Sequence, residues 1–495
     1  MREKPDRIVE PGATCWRLAH AERVAMLVDA AEYLPAMAAA LRAARRSVLL
    51  LGWDFDARIP LAPEGEGEAR PERLCDLLET VTSTHPDVTV NILVWDMTWL
   101  FAVQRRDRPQ HAPRWLPKQR VRYRLDGNHP LGASHHQKVL VVDDMIAFCG
   151  SADFTRNRWD TRDHLATDRR RRTVDGSTYG PRHEVMMAVD GDAAAALGEL
   201  VRERWFRATG ERIAVPPPRS RVWPSELKPD FTDVEVGIAR SEPSWRGRRE
   251  VREVEALYLR AIAAAERWIY LENQYFTSPV IGRALARRLK EPGGPEIIVV
   301  CPANSGGRFD RLAMDHARNH LIRQLRSADR FGRFKAFAAI AGSSTPISIH
   351  SKVMIVDDRL VRVGSANLNN RSFAFDTECD LAMQAKAQDT RTAVRKLLLR
   401  LLSEHAGCSV EQLGAVLSKT GSMLAAIDAL TNPAVRHLRP LADGKPSILD
   451  RVMGKLHLLD PFGFGDNWKP WLRVGRRCGL TNGLGETVDG HNMRG

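Results

Sequence analysis

The chain has 495 residues, of which 43% are hydrophobic and 27% charged, and it carries a formal net charge of +13. That composition excludes a disordered or fibrous chain, and the length accommodates two or three ordinary domains or one large two-lobed unit. The positive charge favours anionic partners, a phospholipid surface or a nucleic acid, without choosing between them.

Residues 1–16, MREKPDRIVEPGATCW, lack the apolar centre of a secretory signal. No apolar run reaches the roughly 18 residues that a membrane span needs. The expected location is cytoplasmic or peripheral at a membrane, with secretion without a standard signal peptide as the alternative. Seven cysteines lie far apart without a Cys-x-x-Cys pair, so they indicate neither a zinc site nor a disulfide framework.

In chain order, residues 33–56 form an alanine-rich helical stretch followed by a short apolar strand that ends in Trp53, Asp54 and Asp56. Trp53 is read as a packing residue. A second apolar run, VTVNILVWD at 88–96, has the length and β-branched content of a buried strand. KVLVVDD at 138–144 then predicts strand, turn, strand into Gly150 and Ser151. The block Arg169–Arg172 reads as a solvated basic loop. His164 and His183 read as surface or scaffold residues, and His135 as structural.

Residues 215–233 contain Pro216, Pro217, Pro218 and Pro224 within ten positions, which precludes a continuous helix or central strand and marks a linker. Beyond it the design repeats: LYLRAIAAAERWIYLENQYF at 257–276, EIIVVCPAN at 296–304 and KVMIVDD at 352–358. From about residue 405 the pattern becomes helical, with Ser409 and Gln412 spaced as a capping box. The segment 460–477 mixes aromatic and basic residues and is expected to pack on the body.

The chemistry lies in the repeat. HQKVLVVDDMIAFCGSAD supplies His136, Lys138, Asp143, Gly150, Ser151 and Asp153, and HSKVMIVDDRLVRVGSAN supplies His350, Lys352, Asp357, Gly364, Ser365 and Asn367. The internal spacings are identical. Residues i and i+2 of a strand share a face, which sets each histidine beside its lysine. Lysines hold the non-bridging oxygens of a phosphodiester through its transition state, and Ser151, Ser365 and Asn367 add neutral donors. Two histidines divide the rest, one attacking phosphorus and the other protonating the leaving alkoxide and then deprotonating water or an alcohol. The carboxylates are too dispersed for a calcium or magnesium cage, and neither a catalytic metal nor another cofactor is expected.

These duplicated motifs resemble the His-Lys-Asp signature of the phospholipase D superfamily. ENQYF (272–276), RWDT (158–161), GSANLNNRS (364–372) and PRHEV (181–185) sharpen the resemblance toward its eukaryotic-type phospholipases, over roughly residues 15–400. The resemblance implies His136 as the nucleophile and His350 as the general acid and base, with Glu184 and Glu378 orienting them. Asp143 and Asp357 are read as holding strand ends together, and Asp153 with them as a structural residue of the motif. Asp153 stands where the family commonly has asparagine, and Arg182 where it commonly has an aromatic residue.

The expected fold is α/β, with two similar phospholipase D-type lobes, each a mixed sheet flanked by helices, related by a pseudo-two-fold axis and followed by a helical tail. The expected divisions are 1–214, a linker at 215–233, 234–405, and a tail at 406–495. The expected activity is hydrolysis of a glycerophospholipid to phosphatidate and a free head-group alcohol through a phosphohistidine. Phosphatidyl transfer of the cardiolipin synthase kind is the alternative. The expected partner is phospholipid at an anionic membrane surface, acted on by a monomer, with nucleic acid disfavoured.

Overall fold

A computed structural model of the chain describes residues 6–63, 71–96, 120–173, 175–217, 223–306, 314–441 and 460–461. The aromatic and basic segment at 460–477 therefore lies almost wholly outside the described residues, as do Pro218 and Cys478.

In the first half the strands are β1 (Arg17–Val28), β2 (Ser47–Gly52), β3 (Thr89–Trp95), β4 (Val121–Asp126), β5 (Val139–Val142), β6 (Ile146–Gly150), β7 (Arg182–His183) and β8 (Val185–Asp190). Those of the second are β9 (Phe231–Glu242), β10 (Val251–Arg252), β11 (Trp268–Asn273), β12 (Glu296–Cys301), β13 (Phe334–Ala341), β14 (Thr345–Pro346), β15 (Ser348–Ile349), β16 (Lys352–Val356), β17 (Leu360–Gly364) and β18 (Glu378–Gln384). A last strand, β19 (His437–Pro440), follows the tail helices Val410–Thr420 and Met423–Leu430 and pairs with β13. Ser409 and Gln412 form the reciprocal cap at the start of the first tail helix. Because β9 begins at Phe231, the sheet is re-entered within the last residues of the proline-rich segment.

The fold is α/β as expected, with the mixed sheets of the two halves joined into one. Pairing runs continuously through β4-β3-β2-β5-β6-β8-β1-β9-β18-β17-β16-β11-β12-β13, and the antiparallel pair β1–β9 is the seam. Outward from that seam each half uses its own strands in one order. Setting aside the two-residue strands, that order is first, seventh, sixth, fifth, second, third, fourth. The outer β2-β3-β4 and β11-β12-β13 ladders are parallel, while the strands between them and the seam are antiparallel.

Strand alternation then sorts the side chains into layers. Leu49 and Leu51 of β2 and Val353 and Ile355 of β16 enter one core, which the helices Gly191–Thr209 and Gln388–Ala406 cover for both halves together. Val48 and Leu50 face a second core under the helices Ala30–Arg42 and Leu74–Thr84. Ile269 and Leu271 face a third under Glu253–Ala264, Pro279–Leu289 and His316–Ala328. Burial on both faces explains why the strands read as unbroken apolar runs rather than alternating ones.

The repeated Asp and Gly-Ser positions follow from this packing. Asp143 accepts hydrogen bonds from the backbone N–H groups of Arg45, Arg46 and Ser47 at 2.7–2.8 Å, fixing the entry to β2. Asp357 does the same for Glu266, Arg267 and Trp268 at 2.8–3.0 Å, ahead of β11. Gly150 is required because a Cβ there would lie 2.5 Å from the carbonyl oxygen of Val185 on the neighbouring strand. Among the described residues, no helix is long and apolar enough to cross a membrane.

Asp357→Ala removes an acceptor shared by three amides and places alanine at a backbone φ of +51°. The expected loss is about 2–4 kcal/mol of unfolding free energy, read as a lowered urea midpoint, with Asp357→Asn losing less. An unchanged midpoint would contradict the anchoring role.

Candidate active site

Both His-x-Lys pairs sit where a strand begins, not within one. His136 and Lys138 precede β5, and His350 precedes β16, whose first residue is Lys352. Each lysine is turned back on its own histidine, Lys138 Nζ donating to the His136 carbonyl at 3.1 Å and Lys352 Nζ to that of His350 at 2.7 Å.

The halves reach across the seam to hold one another's histidines. The His136 N–H donates to the Thr377 carbonyl at 2.9 Å, and the His350 N–H to the His183 carbonyl at 2.8 Å. In each case the next residue is a glutamate. Glu378 Oε2 lies 2.9 Å from His136 Nδ1, and Glu184 Oε1 lies 2.8 Å from His350 Nδ1. The short parallel pair β7–β15 carries the second of these contacts. A carboxylate on Nδ1 sets the tautomer with its proton there and leaves Nε2 with a lone pair. Among the described residues no group bonds either Nε2.

The surroundings of the two pairs differ. Glu184 also receives Arg158 at 2.6 Å, Arg182 Nε at 2.9 Å and the Tyr33 hydroxyl at 3.0 Å, whereas Glu378 receives the Ser365 hydroxyl at 2.5 Å. Lys138 forms a buried ion pair with Asp153 at 3.1 Å, while Lys352 donates to the neutral Gln274 side chain at 3.2 Å. Asp153, expected as a structural residue of the motif, thus lies directly against a motif lysine, and it also accepts from the Trp53 N–H at 2.8 Å. Trp53 stacks on Trp95 with centroids 5.6 Å apart and stands nearly perpendicular to the His136 ring, with centroids 6.4 Å apart.

Ser151 and Ser365, expected to offer donors to phosphate, make their bonds within the fold. The Ser151 hydroxyl donates to the Val185 carbonyl and accepts from the Val185 N–H. Ser365 accepts from the Cys379 N–H while donating to Glu378. Asn367 is 4% exposed, and its Oδ1 is unbonded among the described residues.

Arg158, Tyr33, Arg182 and Gln274 had no assigned part in holding the cleft. Arg158 and Gln274 lie in the RWDT and ENQYF runs, which signalled a special segment but not a contact. Tyr33 sits in an alanine-rich helix and reads as an ordinary core aromatic.

Burial, followed by Lys138 and Lys352, pushes His136 well below the usual imidazole range. Burial, Lys352 and Arg158 do the same to His350. Burial also lifts Glu184 and Glu378, and with Lys138 it drives the Lys352 ammonium well below the usual lysine range. The cleft therefore holds more positive potential than it can keep protonated, a state that an entering anion relieves.

Behind the cleft lies a second polar cluster. His164 and His183 are wholly buried, not at the surface, and stand among Asp29, Asp160, Glu272 and Glu404. Asp29, His164, His183 and Glu404 each present an atom within 4.8 Å of the others, close enough to hold a metal ion. The arginine block is likewise only partly solvated: Arg171 is 1% exposed, bonded to Asp160 and to three backbone carbonyls.

A family model described as "Cardiolipin synthase, PLD-like domain" matches residues 258–398. Phospholipase D A of Dictyostelium discoideum is 25% identical over 457 residues, covering 78% of this chain and 35% of its own length. Phospholipase D1 of Saccharomyces cerevisiae is 26% identical over 384 residues, covering 58% of this chain and 23% of its own length. Phospholipase D alpha 4 of Arabidopsis thaliana is 24% identical over 478 residues, with 74% and 62% covered. The chain thus spans 35% and 23% of the length of the first two relatives, and 62% of the third. Among solved structures, phosphatidylserine synthase from Haemophilus influenzae Rd KW20 aligns with a TM-score of 0.50 at 13% identity, covering 78% of this chain and 88% of that one, which shows a shared fold.

Sulfate does not itself titrate near pH 7, so it isolates the cleft's own protons. Its binding offsets Lys138, Lys352 and Arg158 and lets the depressed imidazoles rise, so the chain is expected to take up a fraction of a proton, to about one, per anion. Binding heats compared across buffers of different ionisation enthalpy measure this. Proton release, or no buffer dependence, would contradict the assignment.

Proposed function

We propose that this chain, a member of the phospholipase D superfamily, is a phosphodiesterase that hydrolyses glycerophospholipids to phosphatidate and a free head-group alcohol. The observation that carries this reading is the pair of crossed contacts, His136 with Glu378 and His350 with Glu184, with Lys138 and Lys352 beside them.

In this reading a phosphodiester enters between the lysines, its non-bridging oxygens taking the place of the missing negative charge. His350, its affinity for protons restored by that anion, holds a proton on Nε2. The Nε2 lone pair of His136 attacks phosphorus, forming a P–N bond as the P–O bond to the head group breaks. His350 delivers its proton to the departing alkoxide. Water then approaches, His350 recovers a proton from it, and the P–N bond is exchanged for a P–O bond to give phosphatidate. Glu378 and Glu184 act by orientation, keeping each Nε2 toward phosphorus. Lys138, Lys352 and Arg158 stabilise the charge of the five-coordinate transition state. Asn367 is left to donate through its amide nitrogen, while Ser151 and Ser365 hold the strands behind the histidines.

The lipid assignment draws on the relatives called phospholipase D and on a net charge of +13, which suits an anionic bilayer surface. The family model described for cardiolipin synthase favours a second outcome at the same intermediate, transfer to an alcohol in place of water.

Vesicles carrying labelled head groups, with and without glycerol, separate the readings by product mass. Phosphatidate and free alcohol mark hydrolysis, and phosphatidylglycerol marks transfer. His136→Ala is expected to lose about 10³-fold or more in rate, and Glu378→Gln about 10²–10⁴-fold in kcat with little change in KM. Full release by His136→Ala would overturn the mechanism, and nucleic-acid cleavage without lipid turnover would overturn the substrate class.

A further inference from the structure

The cluster behind the cleft divides its polar atoms in a way that hydrogen bonding alone does not explain. Each of four side chains commits one atom to an outer partner. His164 Nδ1 lies 2.9 Å from Asp160 Oδ2, and His183 Nε2 lies 2.9 Å from Glu272 Oε2. Asp29 Oδ1 accepts from the Glu184 N–H at 3.0 Å, and Glu404 Oε2 accepts from Arg162 Nε at 2.7 Å.

The four other polar atoms, His164 Nε2, His183 Nδ1, Asp29 Oδ2 and Glu404 Oε1, converge, and of these only His164 Nε2 and Glu404 Oε1 share a hydrogen bond. His164 Nε2 is 3.3 Å from Asp29 Oδ2 and 3.2 Å from Glu404 Oε1, and His183 Nδ1 is 3.0 Å from Glu404 Oε1. A tetrahedral zinc site with bonds of about 2.0 Å has ligand-to-ligand edges of about 3.3 Å.

Direction supports distance. His183 Nδ1 has two carboxylates within 3.3 Å, yet a proton on it would point at neither with hydrogen-bond geometry, and Asp29 Oδ2 likewise has no hydrogen-bond donor. Both are wholly or almost wholly buried, at 0% and 1% exposure. Two of the four residues, Asp29 at φ +62° and His164 at φ +43°, also occupy the left-handed backbone region that side chains other than glycine seldom adopt.

We propose that Asp29, His164, His183 and Glu404 bind one divalent metal ion, zinc by its donor set, as a closed structural site. Two imidazoles and two carboxylates fill a tetrahedron and leave no open position for a substrate. The outer carboxylates Asp160 and Glu272 fix the ring tautomers so that the lone pairs face the ion, an arrangement common among metal-bound histidines. Asp29 lies between β1 and the helix Ala30–Arg42, His164 and His183 flank the arginine-bearing loop, and Glu404 comes from the helix Gln388–Ala406. The ion joins the two halves directly behind Glu184, whose own N–H rests on Asp29.

The full-length chain, desalted and measured by plasma mass spectrometry, is expected to hold about one zinc per chain. Stripping the metal and restoring zinc alone should lower and then recover the melting temperature. Cobalt-loaded chain should show the intense visible bands of a tetrahedral ion, and His164→Cys should keep the metal and add a thiolate-to-cobalt band. A folded, stripped chain that takes up neither zinc nor cobalt would overturn the proposal and leave a proton-filled ion network. So would metal content unaltered in Asp29→Ala and His164→Ala.

Discussion

Each imidazole in the cleft is held by a carboxylate that the other half of the chain supplies. His136 depends on Glu378 and His350 on Glu184, through contacts of 2.8–2.9 Å. Neither half can present a correctly turned histidine by itself. The backbone reinforces this, since each histidine N–H is bonded to the carbonyl immediately before the opposite glutamate. Continuity of the sheet through β1–β9 is therefore what holds the cleft together, because it fixes both halves in the register those bonds require. A ring held at Nδ1 keeps Nε2 aimed without reorganising at the moment of reaction, which is where fixed dipoles and charges act most strongly.

The crossing is symmetric in backbone but not in charge. Beyond its histidine, Glu184 shares its charge with Arg158 and Arg182, while Glu378 receives the Ser365 hydroxyl. Lys138 is matched by Asp153, and Lys352 rests on an amide. Arg158 also ties the two motifs together, standing 3.5 Å from His350 Nδ1 and 3.7 Å from Asp153 Oδ2. The departure at Asp153 thus has a physical consequence. A carboxylate there can only accept, so it anchors a lysine and a backbone amide, whereas Asn367 keeps an amide nitrogen that can donate.

Features written in local spacing were legible in the sequence. The two His-x-Lys pairs, the Gly-Ser steps and the aspartates ahead of each strand recur at fixed offsets because each offset serves one strand-turn-strand unit. Asp143 and Asp357 recur at such an offset and could be read as strand anchors, although the amides they hold lie at the entries to β2 and β11, at Arg45–Ser47 and Glu266–Trp268. The resemblance names Glu184 and Glu378 as orienting the histidines, but that Glu378 meets His136 could not be read from local spacing, since the partners are 242 positions apart and only the seam brings them together. The sheet's continuity was hidden for the same reason, as apolar runs show that a strand is buried but not which strand lies beside it. The surroundings of Arg171 and His164 are not legible in composition. A run of arginines looks solvated, but Arg171 turns inward to Asp160, and an isolated histidine gives no sign of carboxylates that approach from residues 29 and 404.

Adjacent residues on an extended chain point to opposite sides, and that alternation places a support directly behind each working glutamate. Glu184 faces His350 while His183, one step earlier, faces the buried cluster of Asp29, Glu272 and Glu404. In the other half Glu378 faces His136 while Thr377 faces His135 and Arg204. Arg204 in turn meets Asp126 at 2.5 Å, and His135 lies 3.2 Å from the same carboxylate. Both halves thus back the cleft with buried charge, one with imidazoles among carboxylates, the other with a guanidinium and a single carboxylate. A guanidinium carries its own positive charge and five donors, so on that side Arg204 bonds Asp126, Gln137 and Thr377 at once, while among the described residues His135 Nε2 is left without a hydrogen bond. Two imidazoles carry lone pairs as readily as protons, and of the four carboxylates around them Asp160 and Glu404 meet Arg171 and Arg162, while Asp29 and Glu272 face the imidazoles. The repeat preserves the backbone geometry in front of the strands, and the halves differ in charge both in the cleft and in what neutralises the layer behind.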